Sequence, residues 1–311
     1  MLHTYTAAGA TLIVLCFATW LSASDAPFVT PKNTEEVRFV FRAGEGGQVA
    51  TNLAASDFAV VDSGNIARSF KSFRRISDVP VRLVLVVDNS ASILCLLHKK
   101  KEAVCRFLEN LIRPGVDSVA IVTFVQSHPH VALGLTSDVQ QAVEVLAKIA
   151  AAGETPLYYA ITEAVAIASQ NYDLETRTAL FVFSDGEDTI NIHSLGDPID
   201  SALASEVTIY AIDLSDPRYL SRGASAMTRM SRDTGGQIFQ LADLHSDTLQ
   251  HLAAELHTYY AVSYAPPVVR WQLHSLSTYP THNVRLCFRC RTRYYRPELC
   301  EGSGLVKMEG K

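Results

Sequence analysis

Beyond its first two dozen residues, the 311-residue sequence has no uninterrupted apolar run of about 18 residues, the length a helix needs to span a bilayer. No later segment is therefore expected to cross a membrane as a helix. Positive charge is not in excess either: 27 lysines and arginines face 32 acids, a net charge of −5. Without a global positive field, nucleic acid is not an expected partner. Signatures of common catalysts are missing too. There is no G-x-x-x-x-G-K-[ST] loop, no G-x-S-x-G elbow and no evident nucleophile paired with a base. An enzyme, such as a magnesium-dependent hydrolase or phosphotransfer enzyme, therefore ranks behind a binding protein. The material present is ordinary for a globular protein, 48% hydrophobic and 19% charged, in a length that predicts about two domains.

The N-terminus differs from the rest. "GATLIVLCFATWLSA" is apolar and uncharged, and Ser22, Ala23 and Ser24 end it with small residues, so residues 1–24 read as a secretory signal peptide. "MLHTYT" lacks the lysine or arginine such leaders carry, which leaves an uncleaved anchor, and with it a membrane tether, as the alternative. Both readings place the protein outside the cytoplasm, secreted or in the cell envelope, periplasmic or extracellular. Leu15 before Cys16 is too large for a lipoprotein cleavage site. Removing the leader leaves five cysteines, an odd number for an oxidising compartment. Cys95 and Cys105, ten residues apart on one expected helix, are separated by roughly 15 Å and cannot bridge. Cys287 and Cys290 have C-x-x-C spacing but no matching second pair, so a zinc set is incomplete, and a bridge from Cys300 to one of them is expected instead.

In "VRFVFR" the residues Val37, Phe39 and Phe41 alternate with Arg38 and Arg42, as a half-buried strand requires. "NVRLCFRCR" repeats the pattern with Val284, Leu286 and Phe288. Short runs between them are broken by Gly44-Glu45-Gly46-Gly47 and Gly64-Asn65. A small discontinuous antiparallel β-sandwich-like module is expected over 27–78 plus 266–298, completed by the returning C-terminal strand. Residues 299–311 form a C-terminal tail.

Between them, over 80–262, "LVLVV", "VAIVTF", "ALFVFS" and "VTIYAI" are continuous apolar runs suited to parallel strands buried on both faces. Amphipathic stretches at 97–112, 139–150, 158–170 and 247–262 read as helices. Strand and helix in alternation imply an α/β fold, a doubly wound, mostly parallel sheet. Such sheets place functional groups beyond the carboxyl ends of their strands. Asp88 ends one strand in "VVDNSASI" and Asp185 ends another in "LFVFSDGED", while "AAGETPLYYA" supplies Thr155 just before a helix.

With Ser90 and Ser92 of "DNSAS", these residues resemble the metal-ion-dependent adhesion site of von Willebrand factor type A domains: Asp-x-Ser-x-Ser, a threonine and a later aspartate, in that order. "LAASDFAVVDSG", "DVPVRLVLVVDNSAS", "TPLYYAITEA", "FSDGEDT" and "RTRYYRPE" are together similar to a bacterial subgroup of secreted proteins common in acidobacteria. Ala91 stands where that subgroup has glycine, Ile93 where methionine is common and Tyr159 where an aspartate would stand; none of these removes an oxygen ligand. The resemblance implies a Rossmann-like type A domain with a Mg²⁺ site, Mn²⁺ or Ca²⁺ being alternatives. Ser90, Ser92 and Thr155 would ligate directly or through water, and Asp88 and Asp185 would hold charge and geometry. Magnesium takes about six oxygens and keeps waters readily, and neutral hydroxyl ligands leave it attractive to an outside anion. The implied partner is a protein with an exposed Asp or Glu.

Taken singly, Asp88, Ser90 or Ser92 would be a helix cap; the full set in order favours the metal site. Glu187 and Asp188 read as a solvated loop, His128 and His130 of "SHPH" as a loop with too few metal donors. Arg285, Arg289, Arg291 and Arg293 read as a solvated basic strand face, with an acidic polysaccharide, lipid or protein surface as the alternative. A structural envelope protein with a vestigial metal site is a further alternative.

Overall fold

The computed structural model describes residues 36–46, 48–67, 69–90, 93, 104–125, 127–150, 153–170, 176–215, 223–267 and 273–295. The leader, the tail, Ser92, Cys95 and Cys300 lie outside these. Among the described residues no helix is long and apolar enough to cross a membrane.

Two layers make up the fold. In the first, six strands run in the order β11 (Ile238–Gln240), β10 (Thr208–Asp213), β9 (Arg177–Ser184), β6 (Val81–Val87), β7 (Ser118–Val125) and β8 (His128–Thr136). Neighbours are parallel except β7 and β8. Alternation along a strand sends successive side chains to opposite faces. Leu83, Leu85 and Val87 therefore enter one core with Phe181, Phe183 and Tyr210, while Val84 and Val86 enter another with Leu180 and Val182. The first core is covered by α1 (helical over 104–111), α2 (Val139–Lys148) and α6 (Ser246–His257), the second by α3 (Leu157–Ala168), α4 (Gly196–Ala204) and α5 (Ala224–Thr234). Helices on both faces explain why the central strands are apolar throughout.

The second layer is a β-sandwich. One sheet has the order β14 (Leu286–Cys290), β1 (Val37–Glu45), β12 (Thr258–Tyr264) and β5 (Ser72–Ser77), with the short β2 (Gln48–Val49) against β1. The other is β15 (Arg293–Tyr295), β13 (Leu273–Pro280), β3 (Phe58–Asp62) and β4 (Asn65–Ile66). All pairings are antiparallel, and the C-terminal strand does return: β14 pairs with β1 from Phe41↔Cys290 to Glu45↔Leu286. Phe39, Phe41, Tyr260 and Val262 meet Phe58, Val60 and Leu276 in the core between the sheets.

Several expectations are corrected. The helical pattern at 247–262 stops at His257, because Thr258, Tyr259, Tyr260 and Val262 are β-branched or aromatic and suit a pleated surface. The whole of β12 pairs with β1 and β5, so the change of layer falls at Thr258, ahead of 262. "SHPH" is no loop but the start of edge strand β8, where Pro129 faces no further strand and its missing N–H is harmless. Helices α4 and α5 carried no recognised signal. On β14, Cys287 and Cys290 differ by an odd number of positions and point to opposite faces, so they cannot share one ion.

The arginine row is the largest correction. Arg289 pairs with Glu255 of α6, Arg291 with Glu206 at 3.2 Å and Arg293 with Asp200 of α4 at 3.2 Å; Arg285 stays exposed. From β1, Arg42 reaches Glu255 at 3.0 Å and donates to Tyr210 Oη at 2.7 Å. The polar faces of β1 and β14 thus dock the sandwich onto the α/β layer. Removing one partner of such a buried pair leaves an uncompensated charge. Glu255→Ala is expected to cost about 3–5 kcal/mol, read as a lowered urea midpoint.

Candidate metal centre

Asp88 follows the last residue of β6. Its N–H donates to Phe183 O at 2.9 Å, which extends the pairing of Val87 with Phe183 and sets Asp88 beside Ser184 of β9. Ser184 Oγ donates to Asp88 Oδ2 at 2.7 Å, and the Ser90 N–H donates to Asp88 Oδ1 at 2.9 Å. The carboxyl is fully buried. Burial pushes its pKa up, against the pull of the Ser184 and Ser90 hydrogen bonds. Between them, Asn89 braces the loop: its Nδ2 donates to Phe124 O at 3.2 Å and Ala150 O at 2.7 Å, and its Oδ1 accepts from the Phe124 N–H at 3.1 Å. This residue ties the ends of β6 and β7 to the segment after α2. Sequence reasoning passed over it, although an asparagine closing an apolar run is itself a signal, since a buried amide needs several partners.

Asp185 follows β9. Its Oδ1 accepts the Glu187 N–H at 3.0 Å, and Ser184 Oγ accepts the Gly186 N–H at 3.0 Å. Burial raises the Asp185 pKa. The bond from Glu187 opposes this, and the neighbouring charges of Asp88, Glu187 and Asp213 add to the rise. Asp213, buried at the end of β10, is held by the Ser215 N–H and by Gln240 Nε2, each at 2.8 Å. It is a further carboxylate at this edge that sequence reasoning missed; its position ending "VTIYAID" was the available clue.

Thr155 lies before α3 and is buried. Its N–H donates to Thr189 Oγ1 at 2.8 Å, and the Thr189 N–H returns a bond to Thr155 O at 2.9 Å, which clamps the Thr155 loop to the loop that follows Asp185. Asp188 is not merely solvated: it accepts the Tyr158 N–H at 3.2 Å and the Asn191 N–H at 2.8 Å, capping the first turn of α3 from a distant loop. Glu187 is exposed. Tyr159 stacks on His193 with ring centroids 5.0 Å apart. Four of the expected ligands, Asp88, Ser90, Thr155 and Asp185, thus stand on loops at the carboxyl ends of β6 and β9 or bonded to them; Ser92 lies outside the described residues.

The Asp185 loop is seated by glycine. Gly186 has φ +82°, and a Cβ on it would lie 2.5 Å from Gly223 O; a Cβ on Gly223 would lie 2.3 Å from Asp185 O. Only two glycines allow the loop to lie directly on the N-terminus of α5. Gly186→Ala is expected to destabilise by at least about 1 kcal/mol, measured by denaturant unfolding, while a similar change at exposed Gly134, where a Cβ meets nothing within 4 Å, leaves stability nearly unchanged.

An open, doubly wound sheet with oxygen-bearing side chains where strand order reverses, between β6 and β9, defines the class of the protein. The sequence model of the von Willebrand factor type A domain matches residues 83–187, a span that contains all five expected ligands. The chain is 28% identical over 176 residues to the uncharacterized protein Rv2850c of Mycobacterium tuberculosis, covering 54% of this chain and 27% of that one. The chain thus spans about a quarter of that relative's length. Among solved structures it is similar to a von Willebrand factor type A protein from Catenulispora acidiphila (12% identity, 85% of this chain and 75% of that one, TM-score 0.46). It is also similar to the vWF domain of the type V pili tip protein Mfa5 from Porphyromonas gingivalis (13% identity, 57% and 95%, TM-score 0.44).

The donor set fits a hard divalent ion: carboxylate and hydroxyl oxygens with no thiolate or imidazole among them. Charge argues the same way. Asp88 and Asp185 are each held above the ordinary carboxylate pKa, and each of them ionised beside the other is costly, which a cation would relieve. With folded pKa values raised, the folded state binds protons more readily than the unfolded one. Ionisation of Asp88 therefore subtracts stability at neutral pH, and the loss disappears as pH falls through the raised value. In EDTA at pH 7, Asp88→Asn is expected to melt no lower than the wild type, with any advantage shrinking on acidification, as a calorimetric pH series would record.

Proposed function

We propose that the protein binds a protein partner through a divalent cation, Mg²⁺ or alternatively Mn²⁺ or Ca²⁺, held by Asp88, Ser90, Ser92, Thr155 and Asp185. The bound ion supplies a positive charge with an open or water-filled position that an exposed Asp or Glu of the partner can take. The single observation that carries this reading is the Asp88–Ser184 contact, at 2.7 Å, which brings the loops of Asp88 and Asp185 side by side at the point where strand order reverses.

Each residue has a definable task. Asp88 and Asp185 set the charge of the site. The hydroxyls of Ser90, Ser92 and Thr155 supply neutral oxygens, so the ion is not fully neutralised and keeps its pull on an outside carboxylate. Asn89 and the Thr155–Thr189 clamp hold the contributing loops in place. The apolar leader supports action outside the cytoplasm, secreted or in the envelope. The role is that of a binding protein and not of a catalyst.

Isothermal titration with MgCl₂ or MnCl₂ is expected to give a single site in the wild type and none in Asp88→Ala. Capture of envelope proteins on the immobilised chain should be lost both in EDTA and with Asp88→Ala. Capture that persists in EDTA would point to a structural protein with a vestigial site, and magnesium-dependent turnover of a phosphoester abolished by Asp88→Ala would point to an enzyme.

A further inference from the structure

The seam between the sandwich and the α/β layer holds more positive than negative charge. Arg42 and Arg289 share Glu255, and Arg291 is paired with Glu206. Arg177, the first residue of β9, is 6% exposed and forms no ion pair among the described residues. Its guanidinium donates to Thr208 Oγ1 at 2.6 Å and lies over the Tyr259 ring, 5.2 Å from the centroid. Its Nε is buried without a hydrogen-bond acceptor among the described residues, as is Nε of Arg291. Burial and the neighbouring charge of Arg42 both disfavour the cationic form of Arg177, yet a guanidinium does not give up its proton in a protein. A buried cation of this kind calls for an anion.

Arg42, Arg177 and Arg291 line one cavity of ≈ 20 Å³ together with Thr208, Thr234 and Cys290; Glu206, the partner of Arg291, also stands in its wall, which leaves Arg177 and Arg42 in excess over the acid there. That volume accommodates about one water-sized particle. We propose that the cavity is a halide site, taking a single chloride ion as the counterion of Arg177 and Arg42. The site lies at the amino end of β9, whereas Asp185 follows its carboxyl end. The eight residues of Arg177–Ser184 put the two roughly 25 Å apart, so halide and metal bind independently. The chloride neutralises the seam and holds the sandwich against the α/β layer.

Two measurements on the full chain test this. Crystals grown in sodium bromide are expected to show an anomalous bromine peak in the cavity between Arg42, Arg177 and Arg291. Melting is compared in sodium chloride and sodium gluconate at equal ionic strength, for the wild type and for Arg177→Met, which keeps the side chain's length and removes its charge. The chloride-minus-gluconate difference is expected to be roughly 2–4 °C more positive in the wild type. Should Arg177→Met fail to fold, the bromide crystals alone decide. An ordered cavity without a bromine peak overturns the proposal in favour of water, and a chloride increment that survives in Arg177→Met overturns it in favour of chloride acting elsewhere.

Discussion

The bond from Ser184 Oγ to Asp88 Oδ2, 2.7 Å long, joins two strand ends that are far apart in sequence, and the arrangement of the candidate centre follows from it. Parallel pairing of β6 with β9 in the register Val87↔Phe183 leaves no freedom about which residues emerge side by side. Because both strands are covered by helices on both faces, their ends are buried as well, and the acids placed there must ionise in a poorly solvated setting. That is the physical origin of the raised pKa values of Asp88 and Asp185. A site under such like-charge stress gains more from a divalent ion than an exposed pair of carboxylates would. The surrounding loops are held by polar and steric devices of short range: the Asn89 brace, the Thr155–Thr189 clamp, the Asp188 cap and the contact between Gly186 and Gly223.

The opposite end of the same sheet carries the opposite charge. There Arg42, Arg177, Arg289 and Arg291 gather between the layers, and Glu206 and Glu255 offset only part of them. The β-sandwich is thus attached by its polar face, while its own core is closed by aromatic stacking, such as Phe41 on Tyr260 at 5.6 Å and Phe73 on Tyr260 at 5.5 Å. Within that sandwich the buried Asp62 is satisfied by Tyr264 Oη and Tyr294 Oη, each at 2.7 Å, with His274 Nδ1 2.8 Å away. Buried polar groups of this kind are tolerated only when paired, and here they come from strands of both sheets.

Much of the fold was legible because burial on both faces writes itself into composition. "LVLVV", "VAIVTF", "ALFVFS" and "VTIYAI" correspond to β6, β7, β9 and β10, and the period-two runs at 37–42 and 284–290 to β1 and β14. Where sequence reasoning failed, two signals overlapped or a partner was remote. Residues 258–262 continue a helical spacing by accident, and β-branched and aromatic content decides against it once β1 is available to pair. Arg289, Arg291 and Arg293 look solvated until acids from α4, α6 and the α4–β10 turn are brought opposite them. Asp188 looks like a loop acid until α3 arrives beneath it.

Local patterning alone determined the alternation of strand and helix, the presence of an antiparallel module assembled from both ends of the chain, and which acids and hydroxyls stand at strand ends. These follow from the periodicity of burial and from the chemistry of individual side chains, both of which are properties of short stretches. Only the tertiary structure decided that Asp213 joins Asp88 and Asp185 at one edge, that Asn89 and Thr189 hold the loops, and that a row of arginines faces inward. Strand order and layer packing bring together residues separated by many tens of positions, and no local pattern encodes which distant segment will become the neighbour.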